Sequence, residues 1–105
     1  MQYKNLTPHQ IRIGPIVMKP EPGPCPRVVD RTEPVTDGTV AVWWREVQDL
    51  PEPEDGVTYV VSRLVAMASG RSDLVFPYDF VRDDEGNIIG CRTFARWKGR
   101  WTDGQ

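Results

Sequence analysis

Apolar and polar positions alternate over several short stretches of the chain, which predicts a sheet-rich domain. Near the start, Ile11, Ile13 and the pair 16–17 predict one or two short strands broken at residues 14–15, a Gly-Pro dipeptide. Residues 39–47 form a β-branched and aromatic run, which predicts a longer strand after a hairpin-type Asp-Gly dipeptide.

The middle of the chain joins an apolar strand to the one predicted helix. Residues 57–61 are almost wholly apolar, as expected of a central strand buried on both faces. Ser62 is a good helix N-cap and Gly70 a good residue to end a helix, so the sequence predicts a helix over residues 62–69. The residues expected to share its apolar face are Leu64, Val65 and Ala68.

The last third of the chain predicts a long strand. A polar turn at residues 83–86 is followed by an extended pattern over residues 87–97. Alternation divides its side chains between two faces: Arg92, Phe94, Arg96, Lys98 and Arg100 on one, and Cys91, Thr93, Ala95, Trp97 and Trp101 on the other.

Prolines set apart the segment over residues 18–34. They stand at positions 20, 22, 24, 26 and 34, which excludes helix and central strand and favours extended, polyproline-like chain, with a brief edge strand at residues 27–29. The pattern as a whole predicts a single domain over residues 1–105 of the α+β class. We expect a small, mostly antiparallel sheet with one main helix packed on it and a proline-rich excursion.

Composition narrows the functional classes. The chain has 105 residues, of which 39% are hydrophobic and 27% are charged, and a net charge of −2, which argues against a purely electrostatic nucleic-acid coat. Because no apolar run approaches about 18 residues and the start is polar, we expect a cytoplasmic protein with no membrane partner.

The residue types offer little support for a reactive thiol, a metal site or a catalytic site. The two cysteines, Cys25 and Cys91, and the single His9 are too few for a four-ligand zinc site, and we expect neither metal nor cofactor. We interpret both cysteines as small, half-buried apolar residues rather than a disulfide. A Cys91–His9 dyad, with the thiol pKa lowered by Arg92, is an alternative. No other catalytic arrangement stands out, so we expect a protein that is not an enzyme.

Two features suggest recognition of an anion. Ser62 and Arg63 lie where the predicted helix begins, and free backbone N–H groups with a guanidinium suit a phosphate, although an ordinary capped helix has the same residues. Ten of the 13 basic residues are arginine, the better residue for bidentate phosphate contacts; arginine-rich codon usage gives the same result.

The run over residues 92–101 interleaves basic and aromatic side chains, a pattern also found in single-stranded nucleic-acid sites. One solvated face of a strand gives the same pattern. The acidic residues Asp83, Asp84 and Glu85 lie close by in sequence and oppose a nucleic-acid groove, so we do not expect nucleic acid as a partner.

Several segments carry a resemblance: Asn5–His9 (NLTPH), Leu50–Pro53, Tyr59–Ser62, Asp73–Leu74 and Val81–Arg92 (VRDDEGNIIGCR). In this order they resemble a family of small proteins of phages, prophages and actinobacteria. The pattern is similar to the Thoeris anti-defence sponge proteins of phages. That similarity implies a phage-type anti-defence protein that binds and sequesters a cyclic ADP-ribose-type signal without cleaving it. It also implies a homo-oligomer, a dimer or higher.

The resemblance implies which residues hold the ligand. Phe76 would stack on a base, Asn87 would bond a base edge or a ribose hydroxyl, and Arg92 or Arg96 would hold phosphates. This chain departs from the family in its proline-rich insert. One alternative function is an interaction module that inhibits a host protein through Trp43 and Trp44, which cannot both face one core since successive strand side chains alternate. The other is a small single-stranded nucleic-acid-binding protein that uses the run over residues 92–101.

Overall fold

A computed structural model, which describes residues 2–99, contains eight strands and one helix over that range. Strands make up 49% of the structure and helix 7%. The elements in chain order are β1 (Gln2–Asn5), β2 (Ile11–Ile13), β3 (Ile16–Met18), β4 (Arg27–Pro34), β5 (Val40–Gln48), β6 (Val57–Val60), α1 (Arg63–Ser69), β7 (Leu74–Arg82) and β8 (Ile88–Ala95).

Six strands form one mixed sheet in the order β1-β6-β7-β8-β2-β3. The pairs β1–β6, β6–β7 and β2–β8 are parallel, whereas β7–β8 and β2–β3 are antiparallel. The Asn5 side-chain amide donates to the carbonyl oxygen of Met18 at 3.1 Å, and the Glu21 N–H donates to the Asn5 carbonyl at 2.8 Å. These bonds bring the edge strands β1 and β3 together, so the sheet is a nearly closed barrel.

The core has two parts because β6 and β7 are buried on both faces. Val60 and Val75 belong to a cluster with Ile11 and Cys91, which lies inside the barrel. Neighbouring residues along the chain form a second cluster with α1, which consists of Tyr59, Val61, Val65, Ala66, Leu74 and Phe76. Val28 of β4 and Val47 of β5 pack against this second cluster. The prediction that residues 57–61 form a strand buried on both faces is confirmed.

The predicted helix is present as α1. The Ser62 hydroxyl caps it by accepting the Val65 N–H at 3.2 Å, and Gly70 ends it with a φ of 69°. The predicted apolar face was right for Val65, which is buried, and wrong for Leu64, which is exposed; α1 also buries Ala66. Over the described residues no helix is long and apolar enough to cross a membrane.

The predicted α+β fold, a small and mostly antiparallel sheet with one main helix packed on it, was wrong. The chain is mostly sheet, and its six-stranded sheet is mixed and barrel-like. A helix of seven residues is too short to form a layer over six strands. The parallel pairs β1–β6 and β2–β8 join segments that are distant in sequence, and hydrophobic periodicity carries no signal for such pairs.

The proline-rich excursion over residues 18–34 also differs from the prediction. The eight residues of β4 form a full strand that pairs antiparallel with β5, rather than a brief edge strand at residues 27–29. The physical reason is that no proline lies between positions 26 and 34, so each residue there keeps its N–H. The predicted strand over residues 87–97 is β8, and Arg100 and Trp101 lie outside the described residues.

A bidentate ion pair fixes the start of β7. Arg71 Nε and Nη2 donate to the two carboxylate oxygens of Asp73 at 2.9 and 2.6 Å, and Arg71 Nη1 donates to the Pro51 carbonyl at 2.7 Å. The guanidinium also lies 5.9 Å from the centre of the Tyr59 ring. The pair therefore ties the loop before β6 to the strand after α1.

Because of this ion pair, we expect the protein to lose stability in acid. The hydrogen bonds from Arg71 hold the pKa of Asp73 below its usual value. A carboxylate of this kind stabilises the fold above its unfolded-state pKa of about 4, and the contribution is lost as the pH falls through the folded-state pKa. We expect Asp73→Asn to cost about 1–3 kcal/mol at neutral pH and to lose less stability than the wild type on acidification. Urea unfolding at a series of pH values measures the free energy of unfolding and its dependence on pH. Glu33→Gln, which removes an exposed carboxylate, is the control. If the stability of Asp73→Asn and of the wild type fell equally with pH, the prediction would be contradicted.

Candidate functional site

An open cleft of about 1260 Å³ lies between the loop after β1, the start of α1 and the β7–β8 pair. Its lining is drawn from three segments that are far apart in sequence: residues 7–12; Ser62 and Arg63; and Pro77, Tyr78, Asp79, Phe80, Ile88, Ile89, Gly90, Cys91 and Thr93.

The NLTPH segment shapes one rim of this cleft. Asn5 is 2% exposed, and its amide Nδ2 donates to the carbonyl oxygens of His9 and Met18 at 2.8 and 3.1 Å. Its Oδ1 accepts the N–H and the hydroxyl of Thr7 at 3.0 and 2.7 Å. Every polar atom of this buried side chain is therefore bonded, and the loop from Thr7 to His9 is held in one shape.

The VRDDEGNIIGCR segment shapes the opposite rim. Asp83 Oδ1 accepts the backbone N–H groups of Glu85 and Asn87, each at 2.9 Å, and the bond from Asn87 is the main reason that the pKa of Asp83 lies below its usual value. Gly90 lets β8 approach β2, since a Cβ at this position would lie 2.8 Å from the carbonyl oxygen of Arg12. Two of the segments that carry the resemblance thus contribute to the lining of the cleft, the first through residues 7–9 and the second through residues 88–91.

The charged side chains that line the cleft without an ion-pair partner among the described residues are positive. Arg12 and Arg63 are exposed on its lining, and within residues 2–99 neither forms an ion pair. The Arg63 guanidinium is positioned 5.3 Å from the Phe76 ring centre and 5.5 Å from that of Tyr78. Asp79 is the one acidic residue on the lining, and Arg92 Nη1 pairs with its carboxylate at 3.2 Å. An anion would therefore meet two unpaired guanidinium groups and a neutralised carboxylate.

An apolar surface lies beside these charges. Tyr78, Phe80, Ile88 and Ile89 line the cleft, and each is about half exposed, at 46–51%. Large side chains with this exposure offer a platform for a flat, weakly polar group. The cleft thus presents both parts that a phosphorylated, ring-containing molecule requires.

Of the six residues predicted to bind the ligand, the structure places only two on the cleft. These are Ser62 and Arg63, and the Ser62 hydroxyl is occupied in capping α1. Phe76 is 3% exposed and belongs to the core, so its ring has no free face for a ligand. Tyr78 is an exposed aromatic residue on the same strand, and its ring packs edge-on against Phe76 at 6.5 Å.

The other predicted residues do not lie on its lining. Asn87 belongs to the turn bonded by Asp83, Arg92 pairs with Asp79, and Arg96 donates to the Ser72 carbonyl. Because the two described arginines of the basic–aromatic run, Arg92 and Arg96, bond to different partners, the described part of the run does not form one phosphate-binding surface.

The thiols behave as apolar residues. Cys91 is buried, and burial raises the pKa of its thiol, the direction opposite to activation by Arg92. Cys25 is partly exposed, and both cysteines are free. Among the residues that the structure describes, no group of three or more histidine, cysteine, aspartate or glutamate side chains is placed to hold a metal ion.

Sequence reasoning missed Arg12, Tyr78 and Phe80. The sequence pattern could have identified Arg12, because it lies between Ile11 and Ile13 in the strand and so faces the opposite side. No pattern in the sequence indicates that Phe80 is exposed, since Asp79 adopts a φ of 56° that breaks the alternation of side chains along β7. In comparisons with known proteins, no family model, no curated protein and no solved structure matches this chain.

Proposed function

We propose that the cleft binds a small phosphorylated molecule and holds it without cleaving it. The observation that carries the proposal is that two guanidinium groups without an ion pair, Arg12 and Arg63, line the same cleft as the exposed Tyr78 and Phe80 rings. Guanidinium groups bind phosphate oxygens in a bidentate manner, and an aromatic face stacks on a base. Such binding requires neither a general base nor a metal ion.

The ligand class that we propose is a cyclic nucleotide signal of the cyclic ADP-ribose type. The resemblance of the NLTPH and VRDDEGNIIGCR segments to phage sponge proteins supports this choice. A pyrophosphate would bridge Arg12 and Arg63, and the purine would lie on the apolar surface beside them. The protein would then act as a phage-type anti-defence protein that lowers the free concentration of an immune signal in the host cytoplasm.

Arg92 has a role in this proposal that differs from direct contact. Its ion pair with Asp79 removes a negative charge from the lining of the cleft. Arg92→Ala would leave the Asp79 carboxylate unpaired and repel a phosphate. We therefore expect Arg92→Ala to weaken binding and the double variant Arg92→Ala/Asp79→Asn to restore it, which separates neutralisation from contact.

A thermal-shift panel of cyclic ADP-ribose isomers and cyclic oligonucleotides tests the function. Ligand at about 100 times its dissociation constant adds about 2.7 kcal/mol of stability, which raises the melting midpoint by roughly 10 °C or more. Arg63→Ala removes a charged partner of the phosphate, and we expect affinity to fall about tenfold to a hundredfold. Arg27→Ala is the matched control, because Arg27 is exposed on the hairpin away from the cleft.

Release of the bound molecule by heat then distinguishes binding from catalysis. The proposal expects the ligand to be recovered unchanged, and recovery of a hydrolysed product would contradict it. A panel in which no phosphorylated molecule shifts the midpoint would also contradict it, as would equal losses of affinity in Arg63→Ala and Arg27→Ala.

A further inference from the structure

The hairpin of β4 and β5 extends beyond the core that it covers. Its base packs on the domain through Val28 and Val47, whereas its outer half is exposed. The radius of gyration is 16.3 Å, whereas a compact domain of this length has a value of about 13 Å. An isolated two-stranded hairpin is marginally stable in water, so further contacts would stabilise the outer half of this arm.

One face of the arm carries an unpartnered apolar stripe. A bulge makes Arg45 an extra residue, since Val29 pairs with Glu46 and Asp30 with Trp44. The core-facing side of β5 therefore continues from Val47 through three exposed residues, which we name the apolar stripe: Val40, Val42 and Trp44, at 59%, 55% and 45% exposure. Trp43 lies on the other face, where the Arg31 guanidinium is 5.4 Å from its ring centre.

The free edge of β5 is the surface that this stripe borders. Pro34 has no N–H, and the Val35 N–H donates to the Thr39 carbonyl at 3.0 Å, so Pro34 and Val40 form a non-hydrogen-bonded pair. The backbone N–H and C=O groups of the stripe residues therefore point away from β4. Within residues 2–99 no strand pairs with this edge, and residues 40–44 carry no charge, proline or glycine that would protect it.

We propose that a second copy of the chain occupies this edge, with β5 pairing antiparallel to β5 about a two-fold axis at Val42. The residues of the edge are self-complementary in size in this register. Val40 lies opposite Trp44 of the second copy, a favoured β-branched–aromatic pair, and the small Ala41 lies opposite Trp43. The result is a four-stranded sheet in which the two apolar stripes join on one face.

Charge complementarity favours the same register. Arg45 has no ion-pair partner among the described residues. The Asp37 carboxylate lies at the other end of the strand, where it accepts the Thr39 N–H and hydroxyl at 2.9 and 2.6 Å. Pairing about Val42 brings Arg45 of the second copy beside Thr39, within reach of Asp37. The symmetry produces this contact twice.

The size of the edge sets the expected affinity. A standard interface buries about 800 Å² per partner, and five residues of one strand bury less. We therefore expect a reversible dimer with a dissociation constant in the micromolar range. This proposal does not depend on the ligand of the cleft, which is formed by other elements.

Sedimentation velocity from low to high micromolar concentration tests the dimer. We expect the mass to rise from one chain to two. Val42→Arg places two like charges at the axis and should keep the chain monomeric; because Val42 is exposed, the monomer should fold unchanged. Val17→Arg is the matched control, an exposed valine of β3 outside the arm. A chain that stays monomeric throughout, or a dimer that persists in Val42→Arg, would overturn the proposal.

Cross-linking tests the register itself. In a Cys25→Ser background, Val42→Cys would place two Cα atoms about 5.5 Å apart, within the range of a disulfide. We expect rapid formation of a covalent dimer, and none for Val17→Cys. Arg45→Asp should weaken association, and the added change Asp37→Arg should restore it. Equal cross-linking of both cysteine variants, or no restoration by the charge swap, would overturn this register.

Discussion

Replacing Asn5 with alanine is expected to destabilise the protein by about 2–4 kcal/mol, which lowers the melting midpoint by roughly 10–20 °C. The side chain is buried, and it bonds the carbonyl oxygens of His9 and Met18 and both donors of Thr7. Alanine leaves these partly buried groups without their partner. It also removes a side-chain bond between the edge strands that nearly close the barrel. Thermal and urea unfolding measure the loss.

Two variants sharpen this prediction. Asn5→Asp keeps the acceptor for Thr7 but directs a carboxylate oxygen at two carbonyl groups, so its folded-state pKa should be raised. A raised pKa means that its stability relative to the wild type improves as the pH falls. Asn87→Ala is the control, because that amide is exposed, and we expect a change below about 0.5 kcal/mol. A similar loss in Asn5→Ala and Asn87→Ala would contradict the role of Asn5.

Replacing Gly90 is expected to have the second-largest effect. A Cβ there would lie 2.8 Å from the carbonyl oxygen of Arg12 and 3.4 Å from its Cβ. The first of these atoms belongs to the backbone, so β2 and β8 must separate. We expect Gly90→Ala to cost about 1–3 kcal/mol and Gly90→Val at least about 3 kcal/mol, measured by urea unfolding. Because Arg12 moves with β2, ligand affinity in the cleft should fall as well.

Gly86→Ala provides the contrast. Gly86 has a φ of 86° and its Cβ would meet no neighbour, so the cost arises from backbone strain in the β7–β8 turn, about 1–2 kcal/mol. Residues 83–87 of that turn do not line the cleft, and we expect ligand affinity to be unchanged. If Gly86→Ala weakened binding as much as Gly90→Ala, the approach of β2 to β8 would not be the cause.

The local signals in the sequence located most of the elements. The Gly-Pro break at residues 14–15 separates β2 from β3, and the β-branched run that starts near Thr39 is β5. Ser62 and Gly70 cap α1 as predicted. These predictions succeeded because caps, turns and alternation depend on residues close in the chain.

The candidate site was only partly accessible from the sequence. Arg63 was identified because it follows an N-cap, and the structure places it on the cleft. Phe76 was chosen through the resemblance, but alternation on a strand buried on both faces places it in the core. Arg92 lies opposite Asp79, between the Tyr78–Thr93 and Phe80–Cys91 pairs, and neither strand alone specifies the register that brings them together.

By itself, the sequence determined most of the elements, but not β1 or β7, together with the capped helix and the arginine-rich composition of the chain. The tertiary structure alone decided that β1 pairs with β6 and β2 with β8, that Asn5 joins the two sheet edges, and that the arm projects with its apolar stripe uncovered. The physical reason is the range of the interactions. Caps and turns are determined by hydrogen bonds within a few residues. Parallel pairing and barrel closure depend instead on contacts between distant segments, and these segments become buried against each other only when the whole sheet has formed.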